Sequence, residues 1–166
     1  YDAPISESGQ TTAKYWELRK TMAKYMGDEK QARVPALIKP IRIPAFQFTE
    51  MAPLFVNLPE ANKDETIRTM EEYNQGFGSI LYRTVLPELK SSALLTVNDA
   101  HDYAQIFLNG KYMGKLDRRN GEKQLTLPAC PKGTQLDILV EAMGRINFGR
   151  AIKDFKGITK NVELTI

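Results

Sequence analysis

The chain reads as mainly β: a two-layer β-sandwich or jelly roll of antiparallel strands, preceded by one α-helix and a proline-rich linker. Three features carry that reading. Short apolar alternations recur between turn signals from Phe46 onward, Asn109-Gly110 sits between two alternating runs, and a single helical stripe ends at Gly27 before Pro35, Pro40 and Pro44. Eight or nine short strands over about 130 residues suffice for one core of this kind.

Residues 1–11 are loop-like, with Pro4, Gly9 and scattered Ser and Thr. In TTAKYWELRKTMAKYMG, Tyr15, Leu18, Met22 and Tyr25 recur at three and four residue spacing, with Trp16 and Ala23 beside them. That spacing predicts a helix over Thr12 to Met26. Thr11 or Thr12 offers an N-cap hydroxyl, Lys20 and Lys24 complement the dipole, and Gly27 suits the left-handed stop. The three prolines that follow forbid a second helix, so residues 28–45 read as an extended linker or edge strand. A lone amphipathic helix must bury its stripe on something, either the domain that follows or a partner missing from this sequence.

From residue 46 to 166 the grammar is β. FQFTEM alternates. GSILYRTVL places Ile80, Tyr82 and Thr84 on one face and Leu81, Arg83 and Val85 on the other. ALLTVNDA is strand-like. YAQIFLNGKYMGKLD is a hairpin, because Asn109-Gly110 suits a type I′ turn whose two central residues both take positive φ. KQLTLP, TQLDILVEA and NVELTI supply further strands, and Ile67, Met70 and Tyr73 share a face of a short helix within DETIRTMEEYNQG.

Composition excludes several classes. Hydrophobic content of 42% and charged content of 26% are those of an ordinary globular domain, not a disordered or fibrous one. A net charge of +3 is too small to argue for nucleic acid or an anionic membrane. The densest basic knot, Lys115, Arg118, Arg119 and Lys123, reads as a solvated turn before a phosphate patch. No apolar run reaches the roughly 18 residues that a membrane-spanning helix needs. Cys130 is the one cysteine, so no internal disulfide forms, and it reads as a small apolar residue rather than a catalytic thiol. The chain starts at Tyr1 with no charged-then-apolar leader and is expected to be cut from something longer.

No catalytic constellation emerges from the residues. His101 lies between Asp99 and Asp102, too few ligands for a zinc site, and reads as a turn histidine with the two aspartates as turn formers. Glu71 and Glu72 are adjacent, so on a helix they point about 100° apart and read as a solvated face, not a glycosidase pair. Tyr73, Phe77, Tyr112 and Phe148 lie beside turns, where aromatic rings can stack on sugars, although most aromatics in a sandwich this size are core. Neither a metal nor a cofactor is called for.

One irregular segment stands out. In GRINFGRAIKDFKGI, Arg145 and Asn147 alternate with Ile146 and Phe148 up to Gly149, and DFKGI turns into the final strand. Asn tolerates left-handed backbone and bonds to neighbouring peptides, while Arg offers five donors in a planar fork. The segment reads as a rigid, polar-pinned crossover, with Arg145, Asn147 and Asp154 as its pins.

These residues also carry a resemblance. GRINFG…DFKGI (Gly144 to Ile158) resembles the G-R-[VI]-N-[YF]-G…D-x-K-G-[IL] signature of glycoside hydrolase family 35 β-galactosidases. GFGSILYRTVLP (Gly76 to Pro87), DAHDYAQIFLNGKYMGKLDR (Asp99 to Arg118) and YDAPISESG (Tyr1 to Gly9) are similar to further segments of that family, in the same order. The resemblance implies that residues 1–27 are the C-terminal end of a (β/α)8 catalytic barrel with its last helix, 28–45 the spacer, and 46–166 a galactose-binding-like jelly roll. It implies a parent that hydrolyses terminal β-D-galactosides with retention and is exported or lysosomal. Both catalytic glutamates of such an enzyme lie on barrel strands upstream of Tyr1, so no catalytic residue is assigned here and the chain by itself is expected to be inactive. Two positions carry over as substrate-binding: Tyr1, matching a tyrosine of the galactose pocket, and Phe148, matching an aromatic on the leaving-group side. The family commonly has Tyr at the latter position, so Phe keeps the stacking face and loses the hydroxyl.

The expected role is therefore an accessory domain that braces the barrel and shapes the aglycone side of its pocket. The alternative is an autonomous carbohydrate-binding module, which should expose two or more aromatics on one loop edge. The expected partners are the missing barrel and, through it, a β-galactoside. The stripe Tyr15, Trp16, Leu18, Met22 and Tyr25 is expected to favour self-association or docking on the chain's own sheet.

Overall fold

The computed structural model describes residues 2–34, 36, 37 and 39–166. Pro35 of the linker and Tyr1 lie outside the described residues. The chain forms two compact units, Tyr1–Met51 and Ala52–Ile166.

In the first unit, α1 spans Ala13–Met26. Thr12 caps it: its side chain accepts from the Tyr15 N–H at 3.4 Å, and its hydroxyl donates to the Pro4 carbonyl at 2.9 Å. Gly27 ends it at φ 78°, its N–H returning to the Ala23 carbonyl. The apolar residues of α1 fall at the predicted spacing, yet none of its residues is buried. Beyond it, residues 46–51 alternate in sequence but form no strand. Alternation assigns faces to side chains, and a strand also needs a neighbour for its backbone N–H and C=O groups; no described residue supplies one here.

The second unit is an antiparallel β-sandwich. One sheet has the order β1 (Ser79–Val85), β7 (Gln135–Glu141), β4 (Tyr103–Leu108), β5 (Lys111–Asp117). The other has the order β6 (Gln124–Leu127), β2 (Ala93–Val97), β9 (Val162–Thr165). A short pair, β3 (Ala100–His101) with β8 (Gly157–Ile158), stands beside them. The core lies between the layers. Ala104, Ile106 and Leu108 of β4 and Leu136, Ile138 and Val140 of β7 meet Ala93, Leu95 and Val97 of β2 and Leu127 of β6. Each set is spaced by two, as one face of a pleated strand requires.

The hairpin forms where Asn109-Gly110 predicted it, with φ 47° and 77° at the two residues. The turn is tied to β7 because Asn109 Oδ1 accepts from the Gln135 N–H at 2.9 Å. On the outer face of β1 and β7, Arg83 lies opposite Asp137 and grips it with Nε at 2.7 Å and Nη2 at 3.1 Å. Asp137 is fully buried, and such a carboxylate is stable only when paired and hydrogen-bonded.

The expected helix within residues 64–76 is a single 3-10 turn, Glu71–Tyr73, ended by Asn74 at φ 56°. Tertiary contacts override the helical spacing. The Met70 N–H donates to the Lys156 carbonyl at 2.8 Å and its side chain enters the core, while Ile67 stays 38% exposed. The shared face of Ile67, Met70 and Tyr73 is therefore not used as one.

Candidate functional site

The crossover from β7 to β8 leaves the sandwich at Ala142 and returns at Gly157. Its exposed middle is irregular, so its shape depends on what fastens its ends.

At the leading end, Arg145 Nε donates to the Gly76 carbonyl at 2.9 Å and Nη1 lies 2.7 Å from Glu71 Oε1. Glu71 also accepts from the Lys156 N–H with both oxygens, at 3.1 and 3.0 Å. One carboxylate thus joins the start of the crossover to its finish. Burial opposes ionisation of Glu71, but the Lys156 and Glu71 N–H groups and Arg145 outweigh it and hold the carboxyl below its usual range.

The returning end is held by a closed ring of alternating charge. Asp154 accepts from Arg118 Nη1 at 2.9 and 3.1 Å and lies 2.8 Å from Lys156 Nζ. Asp102 accepts from the same Arg118 nitrogen at 2.8 Å and from Lys156 Nζ. The Lys156 side chain is 1% exposed and that of Asp154 6%. Burial pushes the Asp154 carboxyl upward, but Lys156 and Arg118 overcome it and the net direction is down. Burial likewise works against the Arg118 charge, and the two aspartates reverse that. Buried charges of this kind persist because each has partners on both sides.

Tyr82 closes the arrangement from beneath. Its hydroxyl donates to the Arg68 carbonyl at 2.7 Å and accepts from the Ile158 N–H at 3.0 Å. Gly157 holds φ 94°, and a Cβ there would collide with the Tyr82 hydroxyl. Burial pushes the Tyr82 phenol up to about 12, against the lowering effect of the Ile158 N–H.

The residues singled out from sequence fall in different places. Arg145 and Asp154 each hold one end of the crossover. Asn147 is exposed, with no side-chain hydrogen bond to any described residue. Phe148 is 91% exposed at the tip. Tyr1, as noted, lies outside the described residues.

Four residues read otherwise from sequence belong to the fastening. Asp102, expected as a turn former, is a ring member. Arg118, expected in a solvated basic turn, carries two carboxylates; its neighbours Lys115 and Arg119 pair locally with Glu122 and Asp117. His101, expected in a turn, is buried in β3. Glu71, expected on a solvated helix face, is the half-buried hub described above. Lys156 was missed altogether; its place two residues after Asp154, in an alternating run ending at a glycine, is the one signal that it faces inward.

Chemically, the arrangement immobilises a loop. Its aspartates are neutralised by adjacent cations, and no group of three or more His, Cys, Asp or Glu among the described residues is placed to hold a metal ion. A shallow depression of about 410 Å³ beside it is lined by Asp102, Arg118, Arg119, Met143 and Gly144. The exposed side of the crossover presents Phe148, Ile152 and Phe155.

A family model described as "Beta-galactosidase, first all-beta domain" matches residues 68–165. The chain is 36% identical over 186 residues to a β-galactosidase of Bos taurus, covering 99% of the chain and 26% of that protein. To a β-galactosidase of Xanthomonas manihotis it is 33% identical over 154 residues, covering 93% of the chain and 25% of that protein. The chain therefore spans about a quarter of the length of the curated relatives it matches. A solved GH2 β-galacturonidase from Eisenbergiella tayi overlays 64% of this chain and 21% of its own with a TM-score of 0.47 at 15% identity.

Proposed function

The chain belongs to the family of the β-galactosidase first all-β domain, and from that premise we propose that it is the accessory jelly roll of a retaining β-galactosidase. In this reading its work is mechanical. It braces a catalytic barrel and shapes the aglycone side of the galactoside pocket.

The observation that carries the proposal is the crossover: fastened by charge at both ends, it displays an aromatic ring that the domain itself does not use. Fixing a loop costs conformational entropy, and the ring and the Glu71 hub offset it. Such rigidity serves a surface that must meet a partner in one geometry. Phe148 is assigned to the leaving-group side of the substrate and Tyr1 to the galactose pocket. Arg145 and Asp154 act as pins, a part that Asn147, exposed and without a side-chain hydrogen bond, does not share. Residues 1–27 close the barrel, 28–45 connect, and 46–166 form the jelly roll. The stripe on α1 rests on barrel helices in the whole enzyme and drives self-association of the isolated chain. The acid/base and nucleophile belong to the barrel, and the parent enzyme is exported or lysosomal.

The test uses the isolated chain. Incubated with a chromogenic β-galactoside it should show no turnover above buffer. Titrated with galactose and lactose and followed by NMR, it should show no localised saturating shifts. Saturation at millimolar concentration or tighter on Phe77, Tyr112 or Phe148 would instead establish an autonomous binding module. No two of the three rings stack on one another, and the Tyr112 ring is packed at 5.6 Å on Phe107.

A further inference from the structure

The sequence holds two Asn-Gly pairs, Asn109-Gly110 and Asn120-Gly121. All four residues are exposed, and nothing lies within 4 Å of where a Cβ would sit on either glycine. An asparagine in this setting carries a self-contained reaction. The next peptide nitrogen, unhindered by a side chain on its own residue, gives up its proton and attacks Cγ. A C–N bond forms, the Cγ–Nδ2 bond breaks, and Nδ2 leaves as ammonia with that proton. The five-membered succinimide then takes up one water. Opening at Cγ gives aspartate; opening at the main-chain carbonyl gives isoaspartate, with the chain running through Cβ and Cγ. Nothing is oxidised or reduced.

By sequence the two pairs are equal, and the fold separates them. The Asn109 N–H donates to the Gln135 carbonyl at 2.9 Å, and its Oδ1 accepts from the Gln135 N–H at 2.9 Å. Bringing Cγ against the Gly110 nitrogen takes Oδ1 away from β7 and strips the Gln135 N–H of its partner. Asn120 ends a single 3-10 turn, Arg118–Asn120. Its side chain is tethered only by Nδ2 to Glu122 Oε1 at 3.1 Å, two residues away. The Gly121 N–H returns to the Arg118 carbonyl at 3.0 Å. Freeing Asn120 and Gly121 therefore breaks two exposed local bonds, and Glu122 keeps Lys115 and the Asp117 N–H. Local opening is easiest where no long-range contact is lost.

We propose that Asn120-Gly121 is a spontaneous modification site, at which the native chain passes through a succinimide to aspartate and isoaspartate ahead of Asn109-Gly110.

The place bears on the crossover. Arg118, which holds Asp102 and Asp154, opens the same turn. Isoaspartate lengthens the main chain of that turn by one carbon. Either product puts a carboxylate where Glu122 had a donor. Glu122 is held below its usual range by Lys115 first and by the Asn120 amide next, and the second of these is lost.

The test is peptide mapping by mass spectrometry of the chain aged at mildly alkaline pH, folded or unfolded in urea, and digested in acid so that no conversion is added. The ratio of the rate in urea to the rate in the folded chain measures how far the fold protects each asparagine. That ratio should be about tenfold larger for Asn109 than for Asn120, the factor that about one net hydrogen bond is worth. The Asn120 product should contain isoaspartate beside aspartate. Equal protection of the two sites overturns the proposal, and so does an Asn120 that survives in the folded chain while it converts in urea. Aspartate without isoaspartate at position 120 overturns the succinimide route.

Discussion

The hydroxyl of Tyr82 fills the space that a Cβ on residue 157 would need, and the same hydroxyl holds the peptide N–H of the next residue, Ile158. Strand β8 therefore starts with a glycine for two separate reasons, its φ of 94° and the phenol against it.

Gly157→Ala should cost about 2–5 kcal/mol, the sum of a left-handed alanine at about 1–2 and an overpacked contact at about 1–3. Tyr82→Phe alone should cost about 1–3 kcal/mol by leaving the part-buried Ile158 N–H without its acceptor. In the Tyr82→Phe background the cost of Gly157→Ala should shrink, because the colliding oxygen is gone. Urea unfolding of the four proteins of the cycle measures this coupling; strict additivity would show that the collision relaxes without cost.

Alkaline pH acts on the same contact. The Tyr82 phenol is pushed up to about 12 by burial, so the folded chain prefers it neutral. Its contribution is present below the ordinary tyrosine range near pH 10 and fades above it. Tyr73, hydrogen-bonded to Asp64, is also raised, so the test is by difference: ultraviolet titration should find a late-ionising step coincident with the onset of unfolding that Tyr82→Phe lacks.

The charge ring should fail asymmetrically. Lys156→Met keeps most of the apolar stem but leaves Asp102 and Asp154 sharing Arg118, at a cost of about 3–5 kcal/mol. Asp154 is held below the usual carboxylate range, so the stability it confers is present above that range and is lost as pH falls through its folded titration. Asp154→Asn should lower stability near neutrality and flatten the acid limb of the stability–pH curve. An acid limb as steep as that of the unmodified chain would assign the acid sensitivity to other groups.

Phe148→Ala separates the two halves of the functional reading. With the ring 91% exposed, the isolated chain should change by no more than about 0.5 kcal/mol. In the longer enzyme proposed here, the same substitution should raise KM for aryl or disaccharide galactosides while leaving the circular dichroism of the isolated domain untouched. A strongly destabilised isolated domain would make Phe148 a structural residue.

The parts legible in the sequence are those whose cause is local. The stop at Gly27, the Asn109-Gly110 hairpin and the alternation of Leu136, Ile138 and Val140 each follow from a few adjacent residues, and the structure has all three. The pair β3 and β8 escaped because two residues carry no period. The ring escaped because its members, at 102, 118, 154 and 156, each have an innocent local reading, and only the closed sandwich brings them together. The strand expected at 46–51 and the helix expected around Met70 failed in the opposite sense. Their periodicity was sound, but one found no partner among the described residues and the other gave its key side chain to the core.

The middle position of β2 sets a timetable for folding. β2 spans Ala93–Val97, and one of its two neighbours, β9, is Val162–Thr165. A ribosome must therefore deliver more than sixty further residues before that layer is complete. Until then Val162 and Leu164 are missing from the layer that covers β4 and β7, and Asp102 and Arg118 wait for Asp154 and Lys156. A nascent chain halted shortly before Val162 is the form most in need of a chaperone.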